Sequence, residues 1–317
     1  MRSRIQTPRS VAVPALLALA LASPVLADTW TVDDDGPADF STIQAAIDAA
    51  QSGDVILVAP GSYTGTKESV IDFSGKDLEI IGSGFDTKVD GQQGRRGALV
   101  DCGPGATPLL EGFLFLNCLA TGDGGGVRVT SAAVRVEDCT FQACEATGRG
   151  GGLFIESCAD ARLAYLDFVD CRSSQASSSL YVTSSTVLGL DEVSVDSDPQ
   201  SGSGFYFLDS LITGTPPGAG SVNLCAFARV EPALVLNGSI LEGATEFTFT
   251  DVEEGPAVVL EGVSSAGFDT STWRSLDVGI EVAGTDFSLV KLSSLAPMRT
   301  CRVAPGPALA TSSTLWV

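Results

Sequence analysis

The chain has 317 residues, of which 44% are apolar and 18% are charged, and it carries a net charge of −21 without a single histidine. This apolar fraction is sufficient for a buried core and excludes a wholly disordered protein. The missing histidine excludes imidazole catalysis and histidine–metal sites, and the negative charge argues against nucleic acid as a partner.

The first 27 residues have the pattern of a secretory signal peptide. Arg2, Arg4 and Arg9 form a basic start, an apolar run follows over 11–22, and small residues lead up to Ala27. We expect cleavage after Ala27 and a secreted, periplasmic or cell-surface location, with no membrane insertion after cleavage. The mature chain would then hold 15 basic and 39 acidic side chains, a net charge of −24.

Residues 28–54 are predicted to form an N-terminal strand and a short capping helix. The apolar side chains of one helical face recur at i, i+3, i+4 and i+7, namely Ile43, Ala46, Ile47 and Ala50. Asp39 or Ser41 is suited to cap the start of this helix, and Gly53 to close its end. We expect the helix to cover the first coil of a sheet structure.

Residues 55–285 contain a repeat of 24 to 29 residues, which is the main signal of the sequence. One column of equivalent positions holds Cys118, Cys144 and Cys171. A second column, in step with the first, places alternating apolar pairs behind Gly or Ser triplets: Val127/Val129, Leu153/Ile155, Leu180/Val182 and Phe205/Phe207. Residues 286–317 lose the repeat and are predicted to be a C-terminal cap or tail.

Short runs with a period of two, bounded by Gly, Ser, Asp and Thr, are typical of short strands. About 26 residues at ~3.3 Å each make one closed coil with three faces, and stacked coils pair equivalent strands in parallel. An antiparallel sandwich would explain the alternation but not the in-phase copies. We therefore predict an all-β, three-sided parallel solenoid whose cysteine column points inward, close enough for one disulfide.

The opening of the mature chain resembles a known family. Val32-Asp33-Asp34-Asp35 through Ala50, Gly53-Asp54-Val55-Ile56 and Pro60-Gly61-Ser62-Tyr63 resemble the opening of right-handed parallel β-helix proteins of the pectin-lyase-like superfamily, pectinesterases included. The Phe-x-x-Cys and Gly-Gly-Gly repeats also resemble those of bacterial polymorphic membrane and surface β-helix proteins. The resemblance implies a right-handed, single-stranded parallel β-helix, and activities such as those of pectate lyases or pectinesterases.

The activity motifs of these enzymes are missing from the sequence. It holds neither the Gln-Asp-Thr-Leu and Gly-Arg-Pro-Trp elements of pectinesterases nor the Trp-Ile-Asp-His element of pectate lyases. The sequence thus favours an exported, non-enzymatic scaffold that binds polysaccharide or a surface protein along one face. The alternative is a polysaccharide lyase or carbohydrate esterase of the pectin-lyase-like group.

The register predicts two outward groups. If the paired apolar residues point inward, the residues between them form an outer ladder of Arg128, Phe154, Tyr181 and Tyr206. This ladder is predicted either to bind a ligand by ring stacking or to stiffen one face of the sheet.

A second outward group lies near the next corner. Asp138, Tyr165 and Glu192 share one column, and Thr140, Asp167 and Ser194 share the adjacent one. Asp138, Asp167 and Glu192 are the candidate catalytic or Ca²⁺-binding carboxylates, against the alternative of a solvated acidic face. The sequence requires no cofactor and predicts no dedicated metal site, because no CxxC occurs and Asp33-Asp34-Asp35 lacks the spacing of a Ca²⁺ loop.

Overall fold

The computed structural model describes residues 27–130, 133–175, 177, 179–196, 204–213, 222–223, 225–228, 232–245, 248–250, 256–261, 263, 265–269, 272–274, 278–283, 290–292 and 301–303. Apart from Ala27, the predicted signal peptide lies outside these residues. No helix of the described part is long and apolar enough to cross a membrane.

The described strands belong to three sheets. The long sheet has 17 strands: β1 (Thr29–Val32), β2 (Val55–Val58), β3 (Gly61–Tyr63), β5 (Glu79–Ile81), β6 (Thr87–Asp90), β8 (Leu109–Leu116), β11 (Val134–Gln142), β14 (Ala161–Val169), β17 (Thr186–Asp196), β19 (Leu211–Thr213), β20 (Val222–Asn223), β21 (Ala226–Ala228), β23 (Ile240–Thr245), β24 (Thr248–Thr250), β26 (Ser265–Asp269), β27 (Thr272–Arg274) and β29 (Val290–Leu292). The second sheet has 10: β4 (Ser69–Asp72), β7 (Arg96–Val100), β10 (Val127–Thr130), β13 (Leu153–Glu156), β16 (Leu180–Thr183), β18 (Phe205–Leu208), β22 (Leu234–Asn237), β25 (Pro256–Glu261), β28 (Val278–Ala283) and β30 (Cys301–Val303). The third has three: β9 (Leu119–Ala120), β12 (Glu145–Ala146) and β15 (Arg172–Ser173). Two helical elements accompany them, α1 (Ile43–Ala49) and a 3₁₀ turn (Gly84–Asp86).

Strands pair in parallel with their equivalents one coil away. In the second sheet, Val127 pairs with Leu153, Leu153 with Leu180, and Leu180 with Phe205, which is the register that the sequence repeat predicted. The predicted all-β parallel β-helix is thus confirmed.

The core is a column of stacked side chains that continues from coil to coil. Phe115, Phe141 and Phe168 stack face to face, with ring centroids 5.2 and 4.8 Å apart. The predicted cysteine column is confirmed, since Cys144 is buried with its thiol against those of Cys118 and Cys171. The seven cysteines with described side chains are thiols, so the column packs without the one disulfide that its spacing would allow.

Each coil turns at single residues with left-handed backbone conformation. In the long sheet the turn falls at Asp138 (φ 50°), Tyr165 (φ 55°) and Glu192 (φ 48°), each in the middle of one long strand. A side chain costs energy at such angles unless the surrounding ladder fixes the backbone. These three residues therefore lie at the corner itself, in the column that the repeat placed near it.

The N-terminal end is capped by α1, as predicted. The helix buries Ile43, Ala46 and Ile47 on the first coil. Its N-cap is Thr42, whose hydroxyl accepts the Ala45 N–H, so the predicted cap at Asp39 or Ser41 is wrong. Thr42 is suited to be the N-cap because its backbone is extended (φ −137°, ψ 143°) directly before the helix.

Two polar side chains complete this cap. The Gln44 amide donates to the Asp72 carbonyl (3.1 Å) and accepts from the Asp72 N–H (2.9 Å), so it takes the place of a neighbouring strand at the edge of β4. At the other end of α1, the Lys76 ammonium donates to the Ile47 and Ala50 carbonyls at 2.6 and 2.8 Å. The last carbonyls of the helix are thus satisfied by a lysine, where the sequence suggested Gly53.

Paired strands continue into the segment 286–317. Val290 of β29 pairs with Ala266, and Cys301 of β30 pairs with Ile280. These two segments extend the solenoid beyond residue 285, and the residues between and after them lie outside the described part.

Candidate functional site

The outer ladder exists, but it is covered. The rings of Phe154, Tyr181 and Tyr206 stack on adjacent coils with centroids 5.7 and 5.1 Å apart. Phe154 and Tyr181 are only 0% and 3% exposed, while Arg128 and Tyr206 are half-buried. The predicted stacking is confirmed, whereas the predicted exposure is wrong.

Arg149 and a glycine triplet cover the ladder. The Arg149 guanidinium lies 5.1 Å from the Phe154 ring centroid and 4.9 Å from that of Tyr181, and its Nη2 pairs with Asp123 Oδ2 at 2.9 Å. Burial opposes ionisation of Asp123, but the hydrogen bonds and charge of Arg149 hold its pKa below the usual value. Gly150 passes so close that a Cβ there would lie 3.1 Å from the Phe154 Cβ. The ladder is therefore an internal layer between strand and loop, without a free ring face for a ligand at Phe154 or Tyr181.

The corner of the long sheet is open to solvent. Asp138, Tyr165 and Glu192 follow one another on successive coils, and Tyr165 is 54% exposed. Asp167 lies in the next column, where its Oδ1 accepts a hydrogen bond from the Ser194 hydroxyl. The predicted columns are thus real, but the tyrosine separates Asp138 from Glu192, so the three candidate carboxylates do not form one compact cluster.

A second exposed ring reaches the same corner from the 3₁₀ turn. Phe85 is 62% exposed, and its neighbour Gly84 lies so near Asp138 that a Cβ there would be 3.5 Å from Asp138 Oδ2. The 3₁₀ turn can approach the sheet because residue 112, which occupies the same corner one coil before Asp138, is a glycine. A Cβ on Gly112 would lie 2.8 Å from the Gly82 carbonyl oxygen, too close for the turn to keep its place. Gly112 also has φ +76°, which a side chain would strain. The 3₁₀ turn that carries Phe85 thus packs beside Asp138, and Tyr165 follows Asp138 on the next coil. Phe85, Asp138, Tyr165 and Glu192 are called the corner strip.

Two glutamates lie beside the corner strip. Glu111 and Glu137 pair in register on adjacent coils, one residue before the corner. Burial and then the negative charges of Glu137 and Asp138 raise the pKa of Glu111. The nearest arginines are held by other carboxylates: Arg135 lies 3.1 Å from Glu79, and Arg162 lies 3.2 Å from Asp160.

Sequence reasoning missed Glu111, Glu137 and Phe85. The two glutamates are 26 residues apart, so the repeat length alone contained the signal for their pairing. Phe85 belongs to a turn outside the repeat. The one sequence signal for this turn is the glycine at position 112, which leaves room for a chain segment at that corner.

Three carboxylates also meet at the N-terminal end. In the described part of the chain, the ligand oxygens of Asp33, Asp34 and Asp35 lie within 4.8 Å of one another. Asp33 accepts the backbone N–H groups of Asp35 and Gly36, and Asp34 accepts that of Ser62. These bonds shape the loop and close the free edge of β3. Ca²⁺ as a cofactor stays a prediction.

No protein-family model and no curated protein matches the sequence. Among solved structures, the fold is similar to a rhamnogalacturonan lyase (11% identity, 84% of this chain and 87% of that chain, TM-score 0.39). It is also similar to a pectin methylesterase from carrot (16%, 90% of each chain, TM-score 0.30) and to one from Aspergillus niger (16%, 86% and 91%, TM-score 0.25). These neighbours are pectin-lyase-like β-helix proteins.

Proposed function

We propose that the protein is an exported β-helix scaffold that binds polysaccharide along the corner strip. The observation that carries the proposal is the exposure of two rings near Asp138, Tyr165 on the next coil and Phe85 in the 3₁₀ turn that packs beside Asp138. Large aromatic side chains leave water when the structure allows it, so two exposed rings at one place mark an interaction surface. Export rests on the predicted signal sequence.

Sugar chains suit this surface better than an apolar protein partner. Aromatic faces take the apolar side of a sugar ring, and carboxylates accept hydrogen bonds from its hydroxyls. The corner strip offers both, with Asp138, Tyr165 and Glu192 on successive coils and Phe85 in the turn beside Asp138. Because equivalent residues recur on every coil, the strip runs along the solenoid axis and offers successive contacts to an extended chain.

Retention of the purified protein on a panel of immobilised polysaccharides tests the proposal. We expect Phe85→Ala and Tyr165→Ala each to weaken retention by about three- to tenfold, since ring stacking contributes about 0.5–1.5 kcal/mol. Leu57→Ala is the matched control, because Leu57 is a large apolar side chain, 42% exposed, that lies in β2 outside the corner strip. Equal retention of all four proteins would move the site elsewhere, and no retention of the wild type by any polysaccharide would overturn the proposal.

A second candidate function is polysaccharide cleavage, favoured by one observation. Glu111 has a raised pKa beside the register partner Glu137, and two carboxylates with different proton affinities can act as general acid and base. Incubating the same panel with the protein and following new ultraviolet absorbance, reducing ends or released methanol tests this candidate. Activity lost in Glu111→Gln and in the Asp138/Asp167 double variant, with binding retained, would establish an enzyme in place of the scaffold.

A further inference from the structure

The corner strip and the two glutamates beside it carry more negative charge than the neighbouring arginines balance, since the pKa of Glu111 is raised although Arg135 opposes the shift. Glu111, Glu137, Asp138 and Glu192 form no ion pair in the described part of the chain. Arg135 and Arg162, on the adjoining strands, form their ion pairs with Glu79 and Asp160 and act on Glu111 and Glu137 only through longer-range attraction. Lys88 faces the same sheet, but it pairs in register with Leu114 and so lies three coils below Asp167.

This charge selects among glycans. A polyuronate carries one carboxylate per sugar, and like charges a few ångströms apart repel each other along the whole strip. An ammonium group, in contrast, is attracted to this surface. It is attracted to the faces of Phe85 and Tyr165 by cation–π interaction and forms charge-assisted hydrogen bonds with Asp138 and Glu137.

We propose that the ligand of the corner strip is a glycan of amino sugars with free ammonium groups, held by Phe85 and Tyr165 through its rings and by Asp138 and Glu137 through its amines. This inference rests on the proposed polysaccharide function. It adds the chemical class of the sugar and assigns the carboxylates a role in selecting it. The raised pKa of Glu111 fits a negative field that a bound cation would relieve.

Calorimetric titration with two matched oligosaccharides tests the inference. Glucosamine and N-acetylglucosamine oligomers of equal length share their rings and linkage and differ at the nitrogen, which is an ammonium in the first and an uncharged acetamide in the second. At about 0.15 M salt, where long-range attraction to the acidic protein is screened, we expect the glucosamine oligomer to bind about tenfold more tightly. Polygalacturonate, the negatively charged comparison, is expected not to bind.

Two carboxylate variants locate the effect. Asp138→Asn is nearly isosteric and tolerates the left-handed corner, and we expect it to weaken glucosamine binding about three- to tenfold while leaving the N-acetylated oligomer unchanged. Glu145→Gln is the matched control, because Glu145 is an exposed carboxylate on the third sheet. An equal loss in both variants would show unspecific attraction to an acidic protein and would overturn the inference.

The remaining outcomes separate the two proposals. If both oligomers bind equally and Tyr165→Ala weakens both, polysaccharide binding stands and the amino-sugar inference falls. If neither oligomer nor any other glycan binds, the proposed function itself falls. If a lysine oligomer of equal charge binds as tightly as the glucosamine oligomer and depends equally on Tyr165, the ligand is a basic peptide and the sugar assignment is overturned.

Discussion

Two aromatic surfaces of this solenoid share the same repeat but differ in their contact with water. On the second sheet, the outer ladder of Phe154, Tyr181 and Tyr206 stacks under Arg149 and is largely buried. On the corner of the long sheet, Phe85 and Tyr165 stand open beside Asp138. The repeat decides which way a side chain points, whereas the loops decide whether it is covered. A ladder of outward rings is therefore not by itself a binding face.

The largest expected effect is a loss of stability when a ring of the outer ladder is removed, and a ring of the corner strip should show no comparable loss. Phe154→Ala removes a fully buried ring and is expected to lower the free energy of unfolding by about 3–5 kcal/mol. Tyr165→Ala removes an exposed ring and is expected to change it by no more than about 0.5 kcal/mol. Denaturant unfolding followed by circular dichroism measures both changes.

Because Phe154→Ala can fail to fold, Phe154→Leu serves as its milder counterpart. It keeps an apolar side chain under Arg149, so we expect a loss of about 1–1.5 kcal/mol. Equal destabilisation by Tyr165→Ala and Phe154→Leu would remove the distinction between the two surfaces.

The second prediction concerns the glycine that admits the 3₁₀ turn. Gly112→Ala places a Cβ 2.8 Å from the Gly82 carbonyl oxygen at φ +76°, and we expect it to cost about 1–3 kcal/mol and to displace Phe85. Thermal unfolding and glycan retention should then fall together.

Asp138→Ala is the stability control for this change, since Asp138 occupies the same corner one coil further on and already bears a side chain at φ 50°. We expect it to alter stability by less than about 1 kcal/mol. If Gly112→Ala were as mild as Asp138→Ala, the 3₁₀ turn would not depend on the glycine.

The architecture could be predicted because a solenoid repeats its inward side chains. Phe115, Phe141 and Phe168 must meet the same neighbours in every coil, so the core imposes a period that survives in the sequence. The inward direction of the cysteine column followed from the same constraint. These features depend on residues one coil apart, which alignment of the repeat brings together.

Whether each of the two aromatic surfaces is covered or exposed could not be predicted from the repeat. Arg149 covers Phe154 from a loop, and no period links a loop residue to the ring it shields. Nothing in the side chains of Asp138, Tyr165 and Glu192 marks a left-handed corner, because the ladder on both sides imposes that conformation. Phe85 belongs to the 3₁₀ turn between β5 and β6, which is not part of the repeat that the sequence shows.

The smallest expected effect is a change in stability when Glu111, the partly buried carboxylate beside the corner strip, loses its charge. Burial, together with Glu137 and Asp138, raises the pKa of Glu111. A carboxyl group whose pKa is higher in the folded chain stabilises the fold while protonated, and this contribution is lost as the pH rises through the folded pKa. We therefore expect Glu111→Gln, which is always neutral, to be more stable than wild type near neutral pH by a few tenths of a kcal/mol.

This advantage should shrink as the pH falls, because wild-type Glu111 becomes protonated before it would in the unfolded chain. Melting temperatures of both proteins between about pH 4 and about pH 8 measure the difference, and Glu145→Gln, on an exposed strand of the third sheet, is the matched control. A Glu111→Gln variant less stable than wild type at neutral pH would mean that a favourable partner holds the carboxylate. The open corner would then be a neutralised surface, and its preference for a cationic ligand would lose its electrostatic basis.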